Sequence, residues 1–458
     1  MSQSDAKTFL KNSTVNVIGG VAAAAYNFTI PAVIVRLLST ADYSFWVLGL
    51  QYASILTIFA FGLQQVLSVA LIREFTAKNS VNISALIFSS VIMLIAGAFF
   101  AAILTFLINR YYYVLFPMAA RMDPRKLASA MILFYIFGIS KIAINFSNAI
   151  FFANLKNIYA VSFDVAWRFL FLGALLSLAG IPLSVNELAL ILAVSAAITT
   201  AVSVVFAQRF LPRYHNFNLA SLQSNLNNLI FNCASLSVWN ISMLLVSGLD
   251  VFLVNRFDAS YTGTYSLAAV LPNLVAGALA TALAPLAVIV SKQSLDKTRS
   301  MQLPNLLIGV TQIIVLIFTF ILIGSIFLGK QFINLWLGSG VDLSMLWLIY
   351  LILIVAIAIR MVHLPYSIML LGVGLQHKAL VSAALEGITN IIASIYLGME
   401  YGAIGVAIGT VIGGLVGVIS ALVLNFRNTK ILTPSSLQFL FYGMVPFVGI
   451  KFIRRIAL

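Results

Sequence analysis

Twelve apolar runs, each long enough to cross a bilayer and joined by short connections, constrain this chain more than any other feature. A helical span needs about 20 mostly apolar residues. Runs of that kind fall roughly at 14–38, 45–72, 84–108, 127–153, 158–180, 188–211, 229–255, 261–291, 304–328, 343–371, 379–398 and 402–425. The longest connections, 109–126 and 212–228, leave no room for a soluble domain. With 62% hydrophobic and 8% charged residues the chain lies far from a soluble domain, which carries about a quarter charged residues. The expected fold is all-α and polytopic, with about twelve transmembrane helices. The tail at 437–453 is apolar but short, is interrupted by Pro446 and ends near Lys451, Arg454 and Arg455. That pattern fits an interfacial helix better than a thirteenth span.

In a soluble chain, a net charge of +14 would point to nucleic acid. In a membrane protein it has a simpler cause, because cytoplasmic loops collect Lys and Arg, and no nucleic-acid partner is expected. The same bias places both termini in the cytoplasm. The basic stretch Arg121-Met122-Asp123-Pro124-Arg125-Lys126 then falls on the outer side, against the rule. No signal peptide is evident before Lys11, so the first span is expected to target the chain. The single cysteine, Cys233, excludes an intrachain disulfide. His215, His363 and His377 are scattered and form no metal-ligand set. No GxxxxGK[ST] pattern occurs, which argues against direct ATP use. No cofactor is expected.

Charges inside the spans are the candidate functional residues, since a charge at mid-membrane is costly unless it meets a partner or a wet cavity. Lys141 lies in the fourth span, and Asp164 and Arg168 in the fifth. Asp164 and Arg168 are four apart and can neutralise each other along one helix. Lys141 has no carboxylate within a turn and is expected to be unpaired. Asn145 and Asn148 continue its helical face. Arg360 in the tenth span and Glu386 in the eleventh reach similar depth if those spans are antiparallel, and a structural ion pair between them is the plainer reading. Asp250 lies in the seventh span. Asn16 and Asn27, eleven apart, return to nearly one face of the first span. Intramembrane Asn and Gln often only join neighbouring helices. Their concentration in the first, second, fourth and seventh spans is the informative feature.

The chain also looks doubled. Val35-Arg36-Leu37-Leu38-Ser39-Thr40-Ala41-Asp42-Tyr43-Ser44 closes one span and opens the next. Val254-Asn255-Arg256-Phe257-Asp258-Ala259-Ser260-Tyr261-Thr262-Gly263 does the same in the second half. An offset of ~218 residues is the spacing of a transporter built from repeats, and an even number of spans per half inserts both halves in the same orientation. The expected lobes are 1–211 and 229–426, with a cytoplasmic linker at 212–228 and a basic tail at 427–458.

The run from Asn16 to Tyr43 resembles the opening of polysaccharide-export and O-antigen flippases of the multidrug/oligosaccharidyl-lipid/polysaccharide exporter superfamily. Gly248-Leu249-Asp250-Val251-Phe252-Leu253, Gly263-Thr264-Tyr265-Ser266 and Ala284-Pro285 are similar to the start of their second lobe. Glu386-Gly387-Ile388-Thr389-Asn390 and Gly402 to Thr410 resemble their last two helices. Ser39 departs from the pattern, standing where Gly is common. The resemblance implies a MATE-like fold of two six-helix lobes around a central cleft. It implies transport of undecaprenyl-pyrophosphate-linked oligosaccharide to the outer leaflet of the bacterial inner membrane, coupled to a proton or cation gradient. A polysaccharide polymerase and a chain-length regulator would then be partners alongside the membrane lipids. On this reading the candidate substrate-binding residues are Lys141, Arg168, Arg360, Arg36, Asn16, Asn27 and Asn145. The candidate ion-coupling residues are Glu386, Asp250 and Asp164. A multidrug exporter of the same superfamily is the alternative. A membrane polymerase or ligase is disfavoured by the lack of a large external loop, so no enzyme activity is expected.

Overall fold

A backbone in hydrocarbon must satisfy its N–H and C=O groups within its own segment, which favours helix wherever an apolar run crosses the membrane. The computed structural model describes residues 3–60, 62–111, 124–178, 180–212, 219–294, 303–338, 341–373 and 375–425. Among them the first five helices are α1 (Gln3–Leu37), α2 (Thr40–Leu56), α3 (Leu63–Ala77), α4 (Ser80–Arg110) and α5 (Pro124–Ala153). The next four are α6 (Asn157–Ser177), α7 (Val185–Ala207), α8 (Leu219–Ser247) and α9 (Asp250–Phe257). The last four are α10 (Thr262–Ser294), α11 (Leu303–Leu337), α12 (Leu343–Gly372) and α13 (Gln376–Asn425). Ten helical segments among the described residues are long and apolar enough to cross a membrane, and the protein is a polytopic all-α membrane protein. Part of the basic stretch (121–123), part of the linker (213–218) and the tail at 427–458 lie outside the described residues.

Each expected span falls on helix, but two are built differently from a single rod. The run at 45–72 is split: α2 ends at Leu56, a 3-10 turn covers Thr57–Ala60, and Gly62 takes a left-handed conformation (φ 68°) before α3. The run at 229–255 divides between α8 and α9, so Asp250 heads a short second helix rather than lying within a long one. The last two runs are two helices that fold back on each other at Gly402 (φ 58°, ψ −135°), both within the range given for α13. The two repeated turn sequences both sit where one helix ends and the next begins, at α1–α2 and α9–α10. At the first, Ser39 caps α2 by accepting from the Asp42 N–H at 3.2 Å.

The chain forms two compact units, Met1–Ile241 and Ser242–Leu458. In the first, α5 is central and packs against α2, α3, α4, α6 and α7. Leu63, Leu67 and Leu71 of α3 meet Phe146, Ile150 and Phe151 of α5 in its core. Trp46 stacks on Phe171 with ring centroids 6.1 Å apart. In the second unit α12 is central, against α10, α11 and α13.

The interruption at Gly402 is specific. Asp258 Oδ2 accepts the Ala403 N–H at 3.2 Å, which caps the restarted helix. A Cβ on Gly402 would stand 2.5 Å from that same oxygen. A left-handed non-glycine residue costs about 1–2 kcal/mol, and here the collision adds to it. Gly402→Ala is expected to lower the melting temperature of the detergent-purified protein more than Gly173→Ala, whose Cβ would enter open space.

Candidate functional site

The charged residues of the spans assemble into one cluster in each unit. In the first, Asp164 of α6 joins two cations. Lys141 Nζ on α5 donates to Asp164 Oδ1 at 3.1 Å. Arg168 Nη1, one turn along α6, donates to Asp164 Oδ2 and also to the Asp164 carbonyl at 2.6 Å. Trp167 Nε1 adds a longer bond to Oδ1, 3.4 Å. Lys141 therefore has a carboxylate partner, contrary to the expectation from sequence. The partner stands on the neighbouring helix, where spacing along a single helix cannot reveal it.

Aromatic faces complete this cluster. Lys141 Nζ lies 4.5 Å from the Trp167 ring centre, with the Arg168 guanidinium carbon 4.8 Å from the same ring. Tyr26 of α1 stands 5.9 Å from that guanidinium carbon. Such contacts stabilise a desolvated cation by about 2 kcal/mol. Two cations facing one carboxylate leave an excess positive charge. Arg168 Nε is buried without a hydrogen-bond partner among the described residues. A cavity of about 110 Å³ between α1 and α6 reaches Arg168 and Tyr26.

The other candidates of the first unit are spread out. Asn145 is half-buried one turn beyond Lys141 on α5, and Asn148 follows, buried, with its Oδ1 unpartnered. Asn27 is exposed beside Tyr26. Asn16 accepts from Asn157 Nδ2 at 3.4 Å, near the start of α6. Arg36 is exposed in the last turn of α1, about 15 Å along the helix axis from Tyr26 at 1.5 Å per residue. Neither Asn16 nor Arg36 is brought to the Lys141 cluster.

In the second unit Arg360 Nε on α12 donates to Glu386 Oε1 on α13 at 2.6 Å, so the ion pair expected as the plainer reading is present. Asp250 is buried at the start of α9. Its Oδ2 accepts from Tyr265 Oη and from Thr410 Oγ1, each at 3.1 Å. Asn390 is within hydrogen-bonding reach of the same carboxylate. Ser394 Oγ donates to Asn390 Oδ1 at 3.0 Å and to the Val406 carbonyl at 3.2 Å, which extends the network along α13. Two carboxylates against one guanidinium leave this cluster net negative. Sequence reasoning did not single out Tyr265, Ser394 or Thr410. The signal was there in part: Asn390/Ser394 and Val406/Thr410 are i,i+4 pairs on either side of Gly402.

Close helix approach makes the second cluster possible. A Cβ on Gly413 would lie 2.7 Å from Asn390 Cβ, and one on Gly417 would lie 2.6 Å from Glu386 Oε2. Small residues of this kind let membrane helices touch along their backbones. No group of three or more His, Cys, Asp or Glu residues with metal-binding geometry occurs among the described residues.

No protein-family model matches the sequence. A search of curated proteins gives no match. Solved structures do match in fold. The lipid II flippase MurJ, in an inward closed conformation, superposes with a TM-score of 0.67 at 15% identity, covering 97% of this chain and 93% of that one. An inward-facing multidrug resistance MATE family transporter of the MOP superfamily gives 0.66 at 15% identity, covering 88% and 98%. A Vibrio cholerae MATE transporter gives 0.62 at 14% identity, covering 93% and 98%. At these identities the likeness is one of fold, and it extends over nearly the whole chain.

The Asp164 geometry has a direct consequence for stability. Removing one partner of a fully buried ion pair costs about 3–5 kcal/mol. Asp164 retains 35% side-chain exposure, and solvent screening reduces the cost to about 2 kcal/mol. Asp164→Asn leaves two adjacent cations without a carboxylate and is expected to lower yield and melting temperature. The triple variant Lys141→Gln/Asp164→Asn/Arg168→Gln, which buries no net charge there, is expected to recover most of both. A triple variant no more stable than Asp164→Asn would contradict this account.

Proposed function

We propose that this protein is a flippase that moves an undecaprenyl-pyrophosphate-linked oligosaccharide, an O-antigen or similar repeat unit, across a bacterial inner membrane. The observation that carries the reading is the excess positive charge of the Lys141–Asp164–Arg168 cluster. A pyrophosphate is too polar to cross hydrocarbon unaided. Charge-assisted hydrogen bonds from Lys141 and Arg168 would replace its lost hydration. Arg168 Nε is a donor without a partner among the described residues and lies beside a cavity. Asn145 and Asn148 would extend this polar face toward the sugar. Likeness in fold to a lipid II flippase supports a lipid-linked substrate. The chain would work as a transporter rather than an enzyme, with both termini in the cytoplasm.

Coupling to an ion gradient is assigned in this reading to the second unit, where among the described residues the cluster sets Asp250 and Glu386 against Arg360. Asp250 is the better candidate of the two, because Glu386 is already neutralised by Arg360. Asp164 is bonded to two cations and is the least suited of the three to take up a proton or metal cation. Oxygens of Asp250, Tyr265 and Thr410 converge there, and hard cations favour all-oxygen sites. The same excess of carboxylates, with the fold shared by MATE transporters, is the observation behind the second reading, export of organic cations.

Two measurements separate these readings. Deleting the gene is expected to stop surface polysaccharide while lipid-linked repeat units accumulate in the cytoplasmic leaflet. Unchanged polysaccharide with raised drug sensitivity would favour the multidrug reading. Among variants of the complete chain, Lys141→Gln and Arg168→Gln are expected to lower polysaccharide export at least about tenfold, the effect of losing ~1.4 kcal/mol. Lys141→Arg should retain most export, since charge rather than shape is required. Normal export by well-expressed Lys141→Gln and Arg168→Gln would refute the cationic site.

Asp250→Asn is expected to abolish the response of transport to an imposed proton or sodium gradient while substrate binding persists. An Asp250→Asn protein that still responds to the gradient would remove Asp250 from the coupling role.

A further inference from the structure

A second cavity of the first unit lies away from the charged cluster. It has a volume of about 610 Å³ and lies between α3, the start of α4 and the first half of α8. That volume is in the range of small-molecule sites, about 300–1,000 Å³. The two helices that wall it are amphipathic in a consistent way. Leu67 and Leu71 of α3 and Leu229 and Cys233 of α8 are buried in the hydrophobic core. Gln65 and Arg73 of α3, and Asn228 and Asn232 of α8, turn toward the cavity instead. Spacings of eight and four residues keep each pair on one helical face. Asn225 holds the wall in place, its Nδ2 donating to Asn82 Oδ1 on α4 at 2.6 Å.

The chemistry of this lining is amide-rich and without net charge. Arg73 and Glu74 cancel, and among the described residues no hydrogen bond or ion pair engages the side chains of Gln65, Arg73, Glu74 or Asn228. A side-chain amide offers both donors and an acceptor, as a sugar hydroxyl does. Apolar patches formed by Val66, Ala70 and Leu86 alternate with the amides, matching the C–H faces of a pyranose ring. An anion would find only one cation here, opposed by an adjacent carboxylate. We infer that this cavity is a binding site for a neutral, hydroxyl-rich glycan, separate from the Lys141 cluster. It lies on the face of α3 turned away from α5, with the leucine core between it and the helix that carries Lys141.

This inference rests on the flippase reading, because it takes the glycan to be the sugar part of the same lipid-linked substrate. The test uses the full-length protein in detergent and native mass spectrometry. Two probes compete at equal concentration: undecaprenyl pyrophosphate, and the same lipid carrying a neutral trisaccharide. The wild type is expected to bind the glycosylated lipid at least about fivefold better, ~1 kcal/mol. Asn228→Ala/Asn232→Ala, at exposed positions, is expected to bring that ratio to about one with binding of the bare lipid unchanged. Equal binding of both lipids by the wild type overturns the glycan site and leaves the pyrophosphate reading intact. Failure to bind either lipid removes both. Phosphatidylethanolamine that competes in the wild type but not in the double variant would make the cavity a lipid-headgroup site and overturn the glycan assignment.

Discussion

One interaction recurs at the centre of each unit: a cation on the central helix bonded to a carboxylate on the next element of the chain. Lys141 of α5 meets Asp164 of α6, and Arg360 of α12 meets Glu386 of α13. Cation is separated from cation, and carboxylate from carboxylate, by about 220 residues, the period also carried by the repeated turn sequences. A lone charge on either central helix would be costly to insert in a membrane. Pairing across helices removes much of that cost and fixes how the two helices meet. The packing of α5 against five neighbours and of α12 against three is arranged around these pairs.

The repeat is not symmetric in charge, and the difference matters for function. Arg168 adds a second cation to the first pair, whereas Asp250 adds a second carboxylate near the other. On the proposed reading, the first unit would take the anionic group and the second the cation or proton. A transporter that carries an anionic lipid on the energy of a cation gradient needs both. In the proposed flippase, separate units would let the two ligands act without competing for one site, as coupling between sites requires.

Much of this was legible in the sequence, and what was not has a common cause. Each run that hydropathy marked falls on helix in the described residues, because the membrane requires about 20 apolar residues in succession. Buried charges were also visible, as interruptions of apolar runs. The partner of Lys141 was hidden because helical periodicity describes neighbours within one helix, and Asp164 lies on another. The breaks at Gly62 and before Asp250 were hidden for a different reason. Each is a local departure from helical geometry within a run that remains apolar throughout, and hydropathy does not respond to backbone angles. Tyr265 and Thr410 entered only as members of longer motifs, since only folding brings them to Asp250. Asn232 falls in the seventh span and Asn228 at the end of the expected linker, and spacing along one helix does not show that they wall a cavity with Gln65.

The break before Asp250 and the break at Gly402 acquire a joint meaning once the hydrogen bonds are followed. Asp250 stands at the first turn of α9, and Asp258 follows directly after the last. Asp250 reaches Thr410 and Asp258 reaches the Ala403 N–H, both in the half of α13 that follows Gly402. The short helix α9 is therefore pinned to α13 at both ends by carboxylates, one buried and one at a turn. An ion or proton taken up at Asp250 would change the bond at one end only, leaving the Asp258 cap as the fixed end. In the proposed cycle, occupancy at Asp250 would act on the Thr410 bond and leave the Asp258 cap on the Ala403 N–H in place.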